Sequence, residues 1–451
     1  MTTLSCFKAY DIRGKVPEQL NDEIAYDIGR ALVAELNGRC YVVGRDMRLE
    51  SPSIANALIK GITESGADVI DIGLCGTEEV YFATSHYQAS GGVMVTASHN
   101  PKGYNGMKLV REESRPISGD SGLLAIKARV QEGRFGVVPS AQGRVSLCPD
   151  KNAYLRHLLG YVNTAELKPL KILANPGNGA AGPVIEALEA ALPFEWVVIN
   201  AQPDGHFPQG VPNPLLPENR SQTREALLAH GCDMALAWDG DFDRCFFFDS
   251  NGRFIEGYYL VALLAETLLK RNPGARIIHD PRLTWNTIDT VRSAGGVAIQ
   301  SKTGHAFIKE RMRSDDAVYG GEMSAHHYFR EFFYCDSGMI PWLLVCAVIS
   351  ESGKSLAELV DEYIAQFPCS GEINYQVDDV SATILRIRKH FSPQALQMDE
   401  TDGVSLEFEN WRFNVRGSNT EPLLRLNIET RADERLLQRK IVELEQLIQE
   451  C

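Results

Sequence analysis

The chain has 451 residues, of which 44% are hydrophobic and 23% are charged. This is the composition of an ordinary globular protein, and at roughly 150 residues per domain it suggests about three domains. Asp and Glu number 59 against 45 Lys and Arg, which gives a formal net charge of −14. Such an acidic chain offers no broad basic face to nucleic acid or to an anionic membrane, so an anionic ligand needs a local group of cations.

The ten cysteines are scattered along the chain without a CxxC pair or a short metal-binding spacing. This pattern indicates free thiols in a reducing compartment rather than a disulfide framework. The first residues, MTTLSCFKAYDIRG, contain no apolar stretch of a secretory signal. The longest strongly apolar run, 339–349, has eleven residues and includes Pro341, whereas about twenty are needed to cross a bilayer. The sequence therefore predicts a cytoplasmic protein.

The predicted elements alternate between amphipathic helices and short β-branched strands, which is typical of α/β proteins. An apolar stripe predicts a helix over 22–36, and Ser51-Pro52 marks the start of a second helix. A strand–loop–helix–strand pattern then occurs three times, with its strands at 41–46 and 67–73, at 171–176 and 196–200, and at 276–281 and 296–300. This repeat suggests three α/β domains of similar construction.

The last part of the chain follows a different pattern. Alternation over 373–377, 405–416 and 423–430 predicts an antiparallel sheet, and an apolar stripe over 432–449 predicts a closing helix. We therefore predict four domains, with boundaries near 145, 248 and 367. Three are α/β domains over 1–145, 146–248 and 249–366, and the fourth is an α+β domain over 367–451.

The first chemical candidate is the loop TASHNPKGYN, which starts at Thr96 directly after a short apolar strand. Small and hydroxyl residues followed by Asn-Pro and glycine predict an exposed loop with Ser98 at its tip. Three interpretations stay open: a turn with side chains bonded to the backbone, a nucleophilic pair of Ser98 and His99, or a serine that carries a phosphoryl group. The pair is disfavoured because adjacent side chains rarely point at each other and no G-x-S-x-G elbow is present.

The metal candidate is the run WDGDFDR, which lies between two apolar strands. Asp239, Asp241 and Asp243 alternate along it, so an extended loop would turn all three carboxylates to one side. Oxygen ligands of this kind suit Mg²⁺ or Ca²⁺. The glycine and glutamate that an EF-hand requires are absent, so the remaining alternative is a solvated acidic turn.

Two further loops carry polar groups suited to a sugar phosphate. The sequence RGSNTEP, which begins at Arg416, combines a guanidinium fork with hydroxyl, amide and backbone donors, although it also suits a hairpin turn. The sequence GGEMSAHH offers Glu322 and Ser324 as partners for vicinal sugar hydroxyls. Basic residues at strand or loop edges, each more typical of a surface position when taken singly, are Arg13, Lys108, Arg282, Lys302 and His305.

Together, TASHNP, DGDFDR, GEMSAHH and RGSNTEP occur in the order found in the α-D-phosphohexomutase superfamily. The chain resembles this superfamily over essentially its whole length, beginning with KAYDIRG at 8–14. Met323 in GEMS is similar to the phosphomannomutase/phosphoglucomutase branch, and the Ala-His-His that follows looks most like bacterial phosphomannomutases. The resemblance implies three related α/β domains with mixed sheets and a C-terminal α+β domain similar to the TATA-binding-protein fold.

The resemblance implies an enzyme that interconverts mannose 6-phosphate and mannose 1-phosphate and so feeds GDP-mannose and surface polysaccharide synthesis. A phosphoserine would donate its phosphoryl group to give mannose 1,6-bisphosphate, which would reorient before the serine takes back the other phosphate. A glucose-phosphate or dual-specificity mutase is the alternative. A metal-dependent sugar phosphatase is less favoured, because it would need neither Ser98 nor a separate phosphate site. The intact Ser98 and the three aspartates argue against a binding protein without turnover.

The resemblance also implies roles for individual residues. Ser98 would be the phosphoserine, and Mg²⁺ would be held by one oxygen of its phosphate and by Asp239, Asp241 and Asp243. Proton transfer and charge balance would involve His99, Lys108, Arg13 and His305. Substrate contacts would come from Arg244, Arg282, Lys302, Glu322, Ser324, Arg416, Ser418, Asn419 and Thr420. The implied ligands are Mg²⁺, a phosphorylated hexose and a mannose or glucose 1,6-bisphosphate activator, in a monomer or homodimer without nucleic acid or membrane partners.

Overall fold

The structure is a computed structural model, and it describes residues 4–136, 140–417 and 423–449. The chain divides into two compact units. The first unit contains the chain up to Phe254 together with Tyr328–Gly353, and the second contains Ile255–His327 and the chain from Lys354 onwards. Within the described ranges, no helix is both long enough and apolar enough to span a bilayer.

The first part of the chain forms a six-stranded mixed sheet with helices. Its elements are β1 Ile12–Lys15, α1 Asp22–Leu36, β2 Cys40–Arg45, α2 Ser51–Glu64, β3 Asp68–Leu74, α3 Thr77–His86, β4 Gly91–Val95, β5 Tyr104–Arg111, α4 Leu123–Glu132 and β6 Val145–Leu147. The strand order is β1-β5-β4-β2-β3-β6. Strand β2 is parallel to β3 and β4, whereas β5 is antiparallel to β1 and β4. The loops that follow β2 and β4 therefore leave the same edge of the sheet.

Helices α1 and α2 illustrate how the sequence sets these elements. Helix α1 starts where the Asn21 side chain accepts the Ile24 N–H at 3.0 Å, and it ends at Asn37 in the left-handed conformation. The two helices approach closely because glycine faces the partner's backbone on each side. A Cβ atom at Gly61 would lie 2.0 Å from the carbonyl oxygen of Tyr26, so only glycine permits this packing distance.

The second part of the chain adds a smaller mixed sheet. Its elements are α5 Asn152–Leu159, β7 Lys171–Asn175, α6 Gly182–Glu189, β8 Glu195–Val198, α7 Ser221–His230, β9 Met234–Trp238, β10 Cys245–Asp249 and β11 Phe254–Ile255. Strands β10, β9, β7 and β8 lie side by side in that order, and β10 is antiparallel to β9. Every residue of β9 and of β10 is buried. These two strands therefore hold both ends of the aspartate-rich loop 239–244.

The third part contains α8 Gly257–Arg271, β12 Arg276–His279, α9 Trp285–Ser293, β13 Val297–Gln300, α10 His305–Asp315, β14 Tyr319–Gly321, β15 His327–Phe329, β16 Cys335–Asp336 and α11 Ile340–Ser352. Strand β12 is parallel to β13 and β14. The predicted repeat is confirmed, because the strand pairs β2/β3, β7/β8 and β12/β13 are each parallel neighbours connected through a helix.

The fourth part contains α12 Leu356–Gln366, β17 Ile373–Gln376, α13 Val380–Phe391, β18 Gln397–Asp399, β19 Val404–Glu407, β20 Trp411–Gly417, β21 Leu423–Thr430 and α14 Glu434–Gln449. Its strands form an antiparallel sheet in the order β17-β21-β20-β19-β18. The predicted antiparallel sheet and closing helix are confirmed. Strand β18 was not predicted, since its three residues are all exposed and carry no apolar alternation. The domain boundaries near 145, 248 and 367 stay predictions.

We predict that Gly61→Ala lowers the free energy of unfolding of the first unit by about 1–3 kcal/mol, as overpacking usually does. The added methyl group would meet a backbone carbonyl that cannot move aside cheaply, and this outweighs the ~1 kcal/mol that alanine gains in helix propensity. Urea denaturation followed by circular dichroism measures the change. The control is Lys60→Ala on the same helix, where the side chain is 67% exposed. Equal stability of the two variants would contradict the packing argument.

Candidate functional site

The loop after β4 holds Ser98 in the left-handed conformation, with φ of 47°. This conformation is unfavourable for a residue with a Cβ atom and needs support from its surroundings. The Ser98 N–H donates to Thr96 Oγ1 at 2.8 Å. The backbone of Gly240 packs against the Ser98 carbonyl oxygen, so a Cβ atom at Gly240 would lie only 2.7 Å from that oxygen. Ser98 is therefore only 2% exposed, and the predicted exposed loop tip is wrong because the aspartate loop covers it.

The expectation that the adjacent side chains of Ser98 and His99 do not point at each other is wrong, because the His99 ring points towards Ser98. The Ser98 Oγ atom lies 3.0 Å from His99 Nδ1 and donates to Asp239 Oδ2 at 2.7 Å. A left-handed residue departs from the extended geometry in which adjacent side chains alternate, so the two side chains can meet. Arg244 Nη2 donates to His99 Nδ1 at 2.6 Å. Loss of hydration, together with Arg244, lowers the pKa of His99 to about 4.

The three aspartates of the loop between β9 and β10 converge as predicted, but by a different backbone path. Carboxylate oxygens of Asp239, Asp241 and Asp243 lie within 4.8 Å of one another. The loop is a turn rather than an extended segment, since the Phe242 N–H donates to the Asp239 carbonyl at 3.2 Å and Phe242 has φ of 42°. All three side chains are buried. The alternative of a solvated acidic turn is therefore wrong.

Two cations, Lys108 and Arg244, offset part of the negative charge of the three aspartates. Lys108 on β5 donates to Asp241 Oδ2 at 2.7 Å and also to Asp243 Oδ2. Burial by itself would lower the pKa of Lys108, but the two carboxylates raise it above its ordinary value. Burial by itself would raise the pKa of Asp239, but Arg244 and then His99 hold it below its ordinary value. These groups are charged at neutral pH, and Lys108, at 7% exposure, is not a surface residue.

The carboxylate oxygens that accept no hydrogen bond indicate whether the aspartates fit a metal ion. Among the described residues, Asp239 Oδ1 and Asp241 Oδ1 are buried and have no hydrogen-bond partner. A buried oxygen without a donor is unfavourable, which a cation would relieve. Thr77 fixes the direction of Asp241, because its Oγ1 donates to Asp241 Oδ2 at 2.6 Å and its N–H donates to the Asp241 carbonyl at 3.0 Å. The aspartates therefore form a pre-arranged oxygen site that fits a divalent cation.

Arg13 reaches the same region from β1. It pairs with Gly106 of β5, two residues before Lys108, so both side chains leave the same face of the sheet. Its guanidinium donates to Asp11 Oδ2 at 2.7 Å and to Asn100 Oδ1 at 2.5 Å. The first unit thus gathers eight of the predicted residues, namely Arg13, Ser98, His99, Lys108, Asp239, Asp241, Asp243 and Arg244.

The second unit gathers the predicted sugar-loop residues around Arg282, which is 2% exposed and therefore not a surface cation. Arg282 Nη2 donates to Asp280 Oδ2 at 2.8 Å and to Ser324 Oγ at 3.2 Å. Glu322 Oε1 lies 3.6 Å from the same nitrogen. Asp280 Oδ2 also accepts the Met323 N–H at 2.8 Å. The loop of Glu322 and Ser324 is therefore fixed to Arg282 through side chain and backbone together.

Arg416 joins this group through a carboxylate that sequence reasoning missed. Glu372 Oε2 accepts from Arg416 Nη2 at 3.2 Å and lies 3.5 Å from Arg282 Nη1, while Glu372 Oε1 lies 3.3 Å from Arg425 Nη1. Burial by itself would raise the pKa of Glu372, but the three arginines lower it below its ordinary value. One carboxylate thus sets the direction of three guanidinium groups.

The other described residues predicted in the second unit are His305 and Lys302. His305 is the first residue of α10, and the preceding Gly304 N–H donates to Glu322 Oε1 at 3.0 Å. Lys302 is exposed and places its ammonium 5.1 Å from the centre of the Phe307 ring. The predicted phosphate contacts Ser418, Asn419 and Thr420 lie outside the described residues.

Family comparisons agree with this architecture along the chain. Residues 5–136, 152–252 and 256–367 match phosphoglucomutase/phosphomannomutase alpha/beta/alpha domains I, II and III, and residues 372–446 match the C-terminal domain of the same family. The chain belongs to the phosphoglucomutase/phosphomannomutase family. The resemblance seen in the four motifs and the predicted fold class are thereby confirmed.

Individual relatives match over the full length. A Xanthomonas campestris pv. campestris protein named phosphohexose mutases is 58% identical over 99% of each chain. The phosphomannomutase of Escherichia coli strain K12 is 55% identical over 100% of each chain. The crystal structure of a phosphoglucomutase/phosphomannomutase family protein from Burkholderia thailandensis superposes with a TM-score of 0.89 at 31% identity, covering 99% of this chain and 97% of the other.

Besides Thr77 and Glu372, sequence reasoning missed Asp46 and Arg48, which contact the Ser98 loop. A signal for both was available. They follow β2 directly, and loops at the carboxyl ends of neighbouring parallel strands meet at one edge of a sheet. Glu372 and Arg425 had no such signal, because neither lies in a recognisable motif.

We predict that Glu372→Gln destabilises the second unit at pH 7 by about 3–5 kcal/mol, because it leaves buried guanidinium groups without their carboxylate. The pKa of Glu372 is depressed by folding, so its contribution is present above the unfolded pKa and is lost as pH falls through the folded pKa. The difference from wild type should therefore shrink in acid. Calorimetric melting at pH 7 and at progressively lower pH measures it. The control is Glu400→Gln, which breaks a half-exposed ion pair with Arg388. Two variants that melt alike at pH 7 would contradict the proposed network.

Proposed function

We propose that this protein is a phosphomannomutase that interconverts mannose 6-phosphate and mannose 1-phosphate through a phosphoserine at Ser98. The observation that carries the proposal is the contact of Ser98 Oγ with Asp239 at 2.7 Å, inside a buried group of aspartates and cations. A serine hydroxyl bonded to a carboxylate that fits a divalent cation supports a role in phosphoryl transfer. The names of the full-length relatives support the same activity.

The first unit would carry the chemistry. Mg²⁺ bound by Asp239, Asp241, Asp243 and a phosphoserine oxygen would supply charge stabilisation for the transferring phosphoryl group. Arg244 contacts Asp239 and His99, so it is placed to add a second cation beside Ser98.

In the first half-reaction the serine–phosphorus bond breaks and a substrate hydroxyl oxygen bonds to phosphorus. The hydroxyl releases its proton, and Ser98 Oγ takes one up. We propose His99, Lys108, Arg13 and His305 as the candidates for proton transfer and charge balance. Arg13 can serve only charge balance, because a guanidinium group does not release its proton. Transfer in the opposite sense returns the serine to its phosphorylated form and releases the other monophosphate. Mannose or glucose 1,6-bisphosphate would therefore serve as intermediate and activator.

We propose a further set of residues for the part of the substrate that does not react. We assign Glu322 and Ser324 to neighbouring sugar hydroxyls, because both are fixed to Arg282. Arg282, Arg416 and Lys302, with Ser418, Asn419 and Thr420, are our candidates for the non-reacting phosphate. A guanidinium fork suits this task because it binds phosphate bidentately whichever carbon bears it. The cytoplasmic location and the oligomeric state stay predictions.

A second candidate function is a mutase that accepts both mannose and glucose phosphates. The 58% identical relative named phosphohexose mutases favours it. A simple phosphatase is less favoured, since it would not need Ser98 between Asp239 and His99. A coupled assay that compares mannose 1-phosphate, glucose 1-phosphate and glucosamine 1-phosphate separates these activities by their relative kcat/KM.

We predict that Ser98→Ala removes most mutase activity on every accepted sugar phosphate, because no oxygen remains to carry the phosphoryl group. Since the hydroxyl is buried and bonded to a carboxylate, we expect a moderate loss of stability of about 1–3 kcal/mol, rather than the near-zero loss of an exposed serine. Turnover, intact mass and thermal melting test both parts. The control is Ser350→Ala, which removes another buried hydroxyl of the same unit. Normal turnover by folded Ser98→Ala would overturn the phosphoserine assignment.

A separate prediction concerns the metal. EDTA should stop the reaction, added Mg²⁺ should restore it, and Asp241→Asn should weaken Mg²⁺ binding at least tenfold, because a carboxylate ligand is lost. Isothermal titration with Mg²⁺ gives a readout independent of turnover. Asp249→Asn is the matched control, since Asp249 is an equally buried aspartate that instead binds Arg253 at the end of β10. Full activity in chelator, or equal Mg²⁺ affinity of the two variants, would rule out the aspartate site.

A further inference from the structure

Arg48 binds the backbone of the Ser98 loop at four points. Its Nη2 donates to the carbonyl oxygens of Ser98 at 2.8 Å and Asn100 at 2.5 Å, and its Nη1 donates to those of Pro101 and Tyr104, both at 3.0 Å. Arg48 is 2% exposed. A single guanidinium group therefore satisfies four carbonyls of a seven-residue segment.

Arg48 is itself held in place. Asp46 Oδ1 accepts the Arg48 N–H at 3.0 Å and the Ser51 hydroxyl at 2.5 Å, and Asp46 Oδ2 lies 3.5 Å from Arg48 Nε. The Asn105 side chain donates to Ser51 Oγ at 2.8 Å and thereby connects the far end of the loop to the same group. On its other side the guanidinium lies 5.1 Å from the centre of the Phe207 ring. The fork cannot turn without breaking several of these contacts.

These contacts bear on the conformation that Ser98 must adopt. A left-handed serine costs of order 1–3 kcal/mol and persists only where its surroundings over-determine it. The Ser98 carbonyl is the group that Arg48 binds, while the Ser98 hydroxyl faces Asp239. Fixing the carbonyl on one side of the residue thus fixes the direction of the hydroxyl on the other.

We propose that Arg48 is a positioning residue for phosphoryl transfer at Ser98, acting through the loop backbone rather than through contact with the reacting atoms. This inference rests on the proposed phosphoserine function. Phosphoryl transfer depends on in-line alignment, and a displacement of about 1 Å lowers rates by about a hundredfold. Lysine in place of Arg48 would keep the charge but could not reach four carbonyls arranged around a planar fork.

The test compares Arg48→Lys with Arg220→Lys. Arg220 is a matched control, because it also donates to two loop carbonyls of the first unit, those of Pro214 and Leu215, and lies over the Phe254 ring. We expect Arg48→Lys to lower kcat about ten- to a hundredfold with KM changed less than about threefold, as for a lost alignment. Arg220→Lys should keep both constants. Intact mass after exposure to glucose 1,6-bisphosphate should show Ser98 phosphorylation slowed by the same factor in Arg48→Lys only.

Two further measurements separate positioning from general stability. Amide hydrogen exchange should be faster in residues 98–103 of Arg48→Lys and unchanged in the strands β4 and β5. Ethylguanidinium should raise the turnover of Arg48→Ala, because it can occupy the space that the Arg48 guanidinium leaves and bind the same carbonyls. It should have no effect on the turnover of Arg220→Ala.

Each outcome is decisive. Unchanged kcat in Arg48→Lys, with Ser98→Ala inactive, refutes the role of Arg48 and leaves the phosphoserine function intact. A raised KM at constant kcat would make Arg48 a substrate-binding residue instead. Loss of the fold in both Arg48 variants would make it a purely structural residue. Normal activity of Ser98→Ala would instead refute the proposed function itself.

Discussion

Three buried carboxylates within 4.8 Å of one another are the arrangement on which the first unit depends. Like charges out of water repel strongly, and each one left unpaired is unfavourable by several kcal/mol. Cations from different elements reduce this repulsion. Lys108 comes from the middle of β5, and Arg244 comes from the end of the aspartate loop itself. Lys108 reaches its partners only in the register that pairs it with Met94 of β4. The register of β5 in the sheet therefore determines whether the charges of the aspartates are paired.

Each polar group of Ser98 is bound by a different residue. The hydroxyl faces Asp239, the carbonyl faces Arg48, and the N–H is taken by Thr96. Gly240 permits the aspartate loop to approach, because any side chain there would meet the Ser98 carbonyl. Since every polar group of Ser98 has a fixed partner, the residue keeps its strained conformation, and its hydroxyl direction is set before any substrate binds. Such preorganisation is what phosphoryl transfer needs from a protein.

The second unit also holds its charged side chains in fixed directions, but there the cations outnumber the carboxylate that binds them. There one buried carboxylate, Glu372, orients three guanidinium groups. The backbone of Arg282 is also fixed, because Arg412 donates to the carbonyls of Arg282 and Pro281 at 2.9 Å, and Glu429 in turn binds Arg412. Cations held in this way are suited to a phosphate dianion, since little side-chain entropy is left to lose on binding.

The sequence by itself determined the alternation of helices and strands, the three-fold repeat, the antiparallel C-terminal sheet and the family. These properties are encoded locally, in the period of apolar residues and in short motifs such as TASHNP and DGDFDR. Only the tertiary structure decided that Ser98 is buried, that His99 turns towards it, and that a turn at Phe242 rather than an extended loop brings the aspartates together. It also decided that Arg48 binds the Ser98 loop and that Glu372 binds the candidate arginines of the second unit. The contacts that bury Ser98 and those that Arg48 and Glu372 make join residues between 44 and 141 positions apart in sequence. They follow from sheet register and loop direction, which no local pattern of residues specifies.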